Sequence, residues 1–178
     1  MTPSQTIGPF FHFGLTTNCG DGCLARAEAL GQHIRVRLRL LDGDGAPVPD
    51  GMLEIWQADA SGRYDHPDPA FCGFGRRATD ADGFCLFETV YPGRVPDRRG
   101  ACQAPHIDVS VFARGLLGRL CTRIYFEGDP ALAEDPVLAL VPEDRRPTLL
   151  ARRDPAQPGL WNLDIRLQGD HETVFFEI

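Results

Sequence analysis

His106, Asp108 and Ser110 recur with a period of two in the run from His106 to Ala113. An extended chain puts these three polar side chains on one face and Ile107, Val109 and Val111 on the other. An imidazole and a carboxylate on one strand face are the beginnings of a metal site. Iron held by phenolate, imidazole and carboxylate needs at least one further donor, and Tyr64 and Tyr91 are the phenols on hand. The same spacing also describes a polar strand face satisfied by cross-strand neighbours, and that plainer reading is the stronger on spacing alone. Arg123 stands in the next β-prone run, between Thr122 and Ile124, where a guanidinium amid apolar residues requires a partner. An internal carboxylate, a neighbouring chain or a bound carboxylic acid each meets that need. Internal pairing is the default, because buried ions are normally paired within their own fold.

The elements that must position these groups are strands. Residues 33–40 alternate throughout, with Ile34, Val36, Leu38 and Leu40 on one face and His33, Arg35, Arg37 and Arg39 on the other. Asp42-Gly43-Asp44-Gly45 is turn chemistry, Met52 to Gln57 resumes as a strand, and Asp82-Gly83 marks a turn before Phe84 to Val90. Further β-prone runs cover 106–113, 120–126, 160–168 and 172–178, so seven strands predict an all-β sandwich or barrel. Helix is scarce: one short helix is expected over Leu24 to Leu30, and Pro136 limits Ala131 to Val141 to short turns. Residues 1–20 and 58–80 read as long irregular segments, which in a compact domain are either functional or surface decoration.

Composition narrows the partners. The 178 residues suit one domain spanning 1–178. A net charge of −7 opposes non-specific binding to nucleic acid or to an anionic membrane. All 18 basic residues are arginine, a planar donor fork suited to carboxylates. No cationic-then-apolar leader and no run of about 18 apolar residues stands out, which points to a cytoplasmic protein. The six cysteines are too few for a disulfide scaffold and read mostly as small buried hydrophobes; Cys19 and Cys23 lack the second pair that zinc would want. There is no Gly-x-Ser-x-Gly elbow, phosphate-cradling loop or dinucleotide fingerprint.

Several strings go further than composition. Leu-Glu-Ile-Trp-Gln-Ala-Asp-Ala at 53–60, Ala-Pro-His-Ile at 104–107, Phe-Ala-Arg-Gly at 112–115 and Thr-Arg-Ile-Tyr-Phe at 122–126 resemble the intradiol ring-cleaving dioxygenases. With Thr-Pro-Ser-Gln-Thr at 2–6 and Glu-Thr-Val-Phe-Phe-Glu at 172–177, they look like the α chains of the two-chain enzymes of that family that act on protocatechuate. The resemblance implies a two-sheet β-sandwich with long loops and little helix, and an extended N-terminal arm over 1–20. It also implies intradiol cleavage of protocatechuate with O₂ to 3-carboxy-cis,cis-muconate, within aromatic catabolism through the β-ketoadipate pathway. The cofactor implied is non-haem Fe(III), held by two tyrosines and two histidines of a partner β chain.

On that resemblance, the first tyrosine ligand of the catalytic chain matches Tyr64 and the first histidine matches His106. The second tyrosine matches Val95 and the second histidine Asp108, so one donor is lost and one altered. Tyr64, Val95, His106 and Asp108 are therefore expected to form a vestigial iron site, with no catalytic residue and no metal in this chain. Thr6, Ile7, Gly8, Pro9 and Phe10, in Pro-Ser-Gln-Thr-Ile-Gly-Pro-Phe, are expected to wall the partner's pocket, and Phe10 replaces a usual tyrosine. Arg123 matches a glutamine and Gln103 an arginine of the catalytic chain; Arg123 either fills the dead pocket or reaches across the interface. Two rival readings stay open: a self-sufficient dioxygenase using Tyr64, His106 and Asp108, and a transthyretin-like binding module without activity.

Overall fold

A computed structural model describes residues 3, 5, 6, 8, 14–16, 22–96 and 100–177. The described residues form ten strands: β1 His33–Leu41, β2 Met52–Gln57, β3 Phe74–Ala78, β4 Phe84–Val90, β5 Val95–Pro96, β6 Cys102–Gln103, β7 His106–Phe112, β8 Leu120–Phe126, β9 Leu150–Arg153 and β10 Leu160–Arg166. Among the described residues helix is scarce: residues 14–16 are helical, and three short 3-10 turns lie at Pro130–Glu134, Leu138–Leu140 and Arg146–Leu149, where Pro136 and Pro147 limit longer helix. The all-β expectation holds.

Eight strands follow one order, β3-β2-β7-β8-β9-β10-β1-β4, and β5 with β6 forms a separate two-stranded ribbon. The four-residue β9 joins the two halves, running parallel to β8 at Tyr125↔Leu150 and antiparallel to β10 at Trp161↔Arg153. The alternation in β1 does what its pattern requires: Ile34, Val36, Leu38 and Leu40 are buried, while Arg35, Arg37 and Arg39 line the outer face. Those arginines are matched locally, Arg37 by Asp154 and Asn162, and Arg39 by the Phe84 ring 4.8 Å away.

Inward residues of both halves meet in one core, including Val36, Leu38 and Leu40 from β1, Leu53 and Ile55 from β2, and Ile107, Val109 and Val111 from β7. Each such side chain contributes about 2 kcal/mol by leaving water. A smaller cluster of Ala104, Tyr125, Ala131, Leu138, Val141 and Leu149 lies on the other side of β8, beneath the 3-10 turns.

Three local expectations are corrected. Residues 24–30 form no helix: Cys23 bridges Glu88 and Ala25 bridges Phe71, so neighbouring strands overrule the local propensity. The run 58–80 is not wholly irregular, because β3 lies in it; Gly75 has no Cβ to push against Leu24 and Phe87, which pack directly over the strand. The run 172–178 makes only an isolated bridge, Cys121↔Phe176, over its described part. The cysteines also differ from expectation: Cys85 and Cys121 are buried, Cys23 and Cys72 are exposed, and Cys102 is intermediate. Cys19 lies outside the described residues.

Candidate functional site

Register builds the site. Trp56 of β2 pairs with Phe74 of β3 on one side and Asp108 of β7 on the other, and Asp108 pairs with Arg123 of β8. Four side chains thus stand in a row across four strands, on the face away from the core. Two pairs along, on the same face, His106 faces Tyr125. The polar face of 106–113 expected from period two is therefore real, and its first cross-strand neighbour is the arginine whose partner was in question.

Arg123 is paired internally. Its Nε donates to Asp108 Oδ1 at 2.8 Å and its Nη1 to Gln103 Oε1 at 2.7 Å. It also hydrogen-bonds the Tyr125 hydroxyl, which in turn donates to the buried Asp135 at 3.1 Å. The ion pair is half sheltered, with side-chain exposures of 19% and 36%. Burial, the largest single influence, opposes the charge on Arg123, but the Asp108 carboxylate together with Tyr125 and Asp135 outweighs it, and the guanidinium is held protonated more firmly than usual.

The ribbon and one loop bring the remaining positions in. Val95 of β5 pairs with Gln103 of β6, the residue that holds Nη1 of Arg123. Tyr64 arrives from the turn after β2, where Asp59 accepts from the amides of Ser61 and Arg63 and from the Ser61 hydroxyl. Its ring stacks on Trp56 at 6.1 Å with an interplanar angle of 5°, and its hydroxyl hydrogen-bonds Asp108. Burial, then the negative charge of Asp108, pushes the Tyr64 phenol up to about 12. His106 is 3% exposed and its Nδ1 lies 2.8 Å from the Ala104 carbonyl oxygen. Burial, then the charge of Arg123, lowers its pKa, so the ring is neutral at neutral pH.

Tyr64, Val95, His106 and Asp108 are therefore brought to one place, around Arg123. Tyr91 is not: it packs on Phe126 at 4.4 Å and donates to Asp129 at 2.7 Å. Ser110 is on the same face further along, opposite Cys121. The gathered residues do not fit a ferric ion. Val95 has no donor atom, Asp108 is already bound to a guanidinium, and the Tyr64 phenol is held in its protonated form. A ferric ion there would also be repelled by the permanent positive charge of the Arg123 guanidinium. Toward solvent the site presents an aromatic face, Trp56 with 47% exposure beside Tyr64 and Phe74.

Of the arm residues expected to act outside this chain, Thr6 and Gly8 are exposed, and Ile7, Pro9 and Phe10 lie outside the described residues. Thr6 Oγ1 accepts from the Gly115 amide at 2.7 Å, tying the arm to the turn after β7. Sequence reasoning missed two residues that hold the site. Asp135 is 1% exposed and accepts from the amides of Ala104, Val137 and Leu138 as well as from Tyr125. The Asp135-Pro136 pair at a helix start was its only local signal. Gln57 is fully buried and is satisfied by Val90, Ala58 and Thr89, partners over 30 residues away for two of its bonds.

Comparison with known proteins agrees with this geometry. A family model described as Dioxygenase matches residues 7–169. The chain is similar to the protocatechuate 3,4-dioxygenase alpha chain of Burkholderia cepacia, 42% identical over 196 residues, with 100% of this chain and 98% of that one covered. It is also similar to the beta chain of the same enzyme, 38% identical with 96% and 77% covered. Among solved structures it resembles the dioxygenase domain of a carbohydrate-binding fusion protein from Streptomyces sp. SirexAA-E, at 26% identity and a TM-score of 0.67, covering 94% of this chain and 99% of that one. A polar strand face, an aromatic row and near-complete similarity to two chain types of one enzyme lead to a single assignment: this chain belongs to the intradiol dioxygenase family.

Proposed function

We propose that this chain is the supporting, α-type subunit of an intradiol dioxygenase that cleaves protocatechuate with O₂ to 3-carboxy-cis,cis-muconate. A β-type chain of the same family is its partner and holds the non-haem Fe(III). The observation that carries this reading is the Arg123–Asp108 ion pair at 2.8 Å, which fills the position where a catalytic chain needs donors. The similarity to both an alpha and a beta chain supports the pairing of two related subunits.

In this reading the chain's contribution is positioning. Thr6, Ile7, Gly8, Pro9 and Phe10 wall the partner's pocket and keep water from it, with Thr6 anchored on the Gly115 amide. Arg123 acts within this chain instead of reaching across the interface, because its Nε and Nη1 are both engaged at home. The same bonds disfavour a self-sufficient site built on Tyr64, His106 and Asp108. The proposal includes a cytoplasmic location, one domain over residues 1–178 with 1–20 as its arm, and a sandwich in which the two halves joined by β9 form the layers.

Iron content and ring cleavage are the test, on this chain alone and co-expressed with its partner. Both properties are expected only in the co-expressed complex. Stoichiometric iron and turnover in the isolated chain would overturn the reading.

A further inference from the structure

The donor positions in this chain are rebuilt around a cation of the protein's own, not merely emptied. Arg123 reaches Asp108 on β7, Gln103 on β6 and Tyr125 on β8, and Tyr64 closes the ring by bonding Asp108. Four segments separated by up to about 60 residues in the chain are thereby tied to one guanidinium, which cannot be deprotonated under ordinary conditions. His106 and position 108 still face the same way, two residues apart on one strand, with Tyr64 beside them. A phenol, an imidazole and a carboxylate are thus still gathered, enough for a three-donor site of the kind divalent ions accept.

We propose that Arg123 is a permanent internal cation standing in for a metal ion, and that its positive charge, not only the shortage of donors, keeps metals out of this chain. The proposal rests on the reading that the natural chain holds no metal of its own. Measuring the metal content of the natural full-length chain tests that reading separately.

The test compares two variants of the full-length chain that differ only in charge at position 123. D108H/R123Q removes both members of the ion pair and supplies a second imidazole next to His106; D108H/R123K keeps a positive charge in the same place. Each is titrated with Zn²⁺ alone, by calorimetry and by the rise in melting temperature, after circular dichroism has established folding. D108H/R123Q is expected to bind one Zn²⁺ at least a hundredfold more tightly than D108H/R123K. Equal affinities would overturn the proposal, and so would no binding by a folded D108H/R123Q. Should the double variants not fold, R123Q and R123K in the natural background decide the matter by the same titration. There, Zn²⁺ binding by R123Q at least tenfold tighter than by R123K is expected, and no difference would overturn the proposal.

Discussion

Two residues show how local environment, not residue type, sets what a polar group does here. Arg123 and Asp108 sit in register on adjacent strands, so neither has to search for the other, and the pair is partly sheltered from water. Breaking a buried pair from one side is costly because a charge is left behind. With the exposure of this pair taken into account, Arg123→Met is expected to lower unfolding stability by about 2 kcal/mol. Adding Asp108→Leu should recover much of that loss, and urea unfolding of the two singles and the double measures the coupling. His106 gives a pH effect of definite sign. Burial and then the charge of Arg123 lower its pKa in the fold, whereas an unfolded histidine protonates near 6.5. Below about pH 6.5 the unfolded chain therefore binds the extra proton first, and stability falls with acidification until the folded value is passed. Unfolding curves of the natural chain and His106→Gln between pH 7.5 and about 5 should diverge in that direction, with the variant the flatter.

Among the elements, the turn after β2 carries Tyr64 to the face and depends on one glycine. Gly62 has φ +84°, and a Cβ there would collide with the Arg94 carbonyl oxygen just before β5. Gly62→Ala is expected to cost about 2 kcal/mol or more, from left-handed strain plus the displaced backbone. Because Gly62 packs directly against Arg94 and lies two residues before Tyr64, the variant should also weaken the stacking of Tyr64 on Trp56, which tryptophan fluorescence would report. The network at Asp135 works on the same scale, joining the start of β7 to the 3-10 turns through four accepted hydrogen bonds.

For the whole molecule, the proposed division of labour puts fold and function in different segments. The cores lie in residues from Leu24 onward, and among the described arm residues Thr6 meets the fold through an exposed hydrogen bond from the Gly115 amide. Deleting residues 1–10 is expected to leave the melting temperature within about 2 °C of the natural chain, since the cores begin at Leu24 and an exposed hydrogen bond such as that of Thr6 contributes little. In the complex with its partner, the same deletion should lower kcat/KM for protocatechuate at least tenfold while iron content stays constant, which steady-state kinetics and metal analysis measure together. An unchanged kcat/KM would remove the arm from the pocket wall.

Period two, turn chemistry and β-prone composition determined β1, β2, β4, β7 and β8 nearly to the residue; β1, β4 and β7 alternate against one buried face, whereas β8 is buried over most of its length. The resemblance strings determined the family and the four positions that converge around Arg123. Strands such as β3, β5, β6 and β9 were not legible: they are two to five residues long and exist only because a neighbour offers hydrogen bonds. The partner of Arg123 was likewise open in the sequence, where a carboxylate 15 positions away is one candidate among many. Only the register of β7 against β8 decided it, since cross-strand pairing sets distance and sequence separation does not.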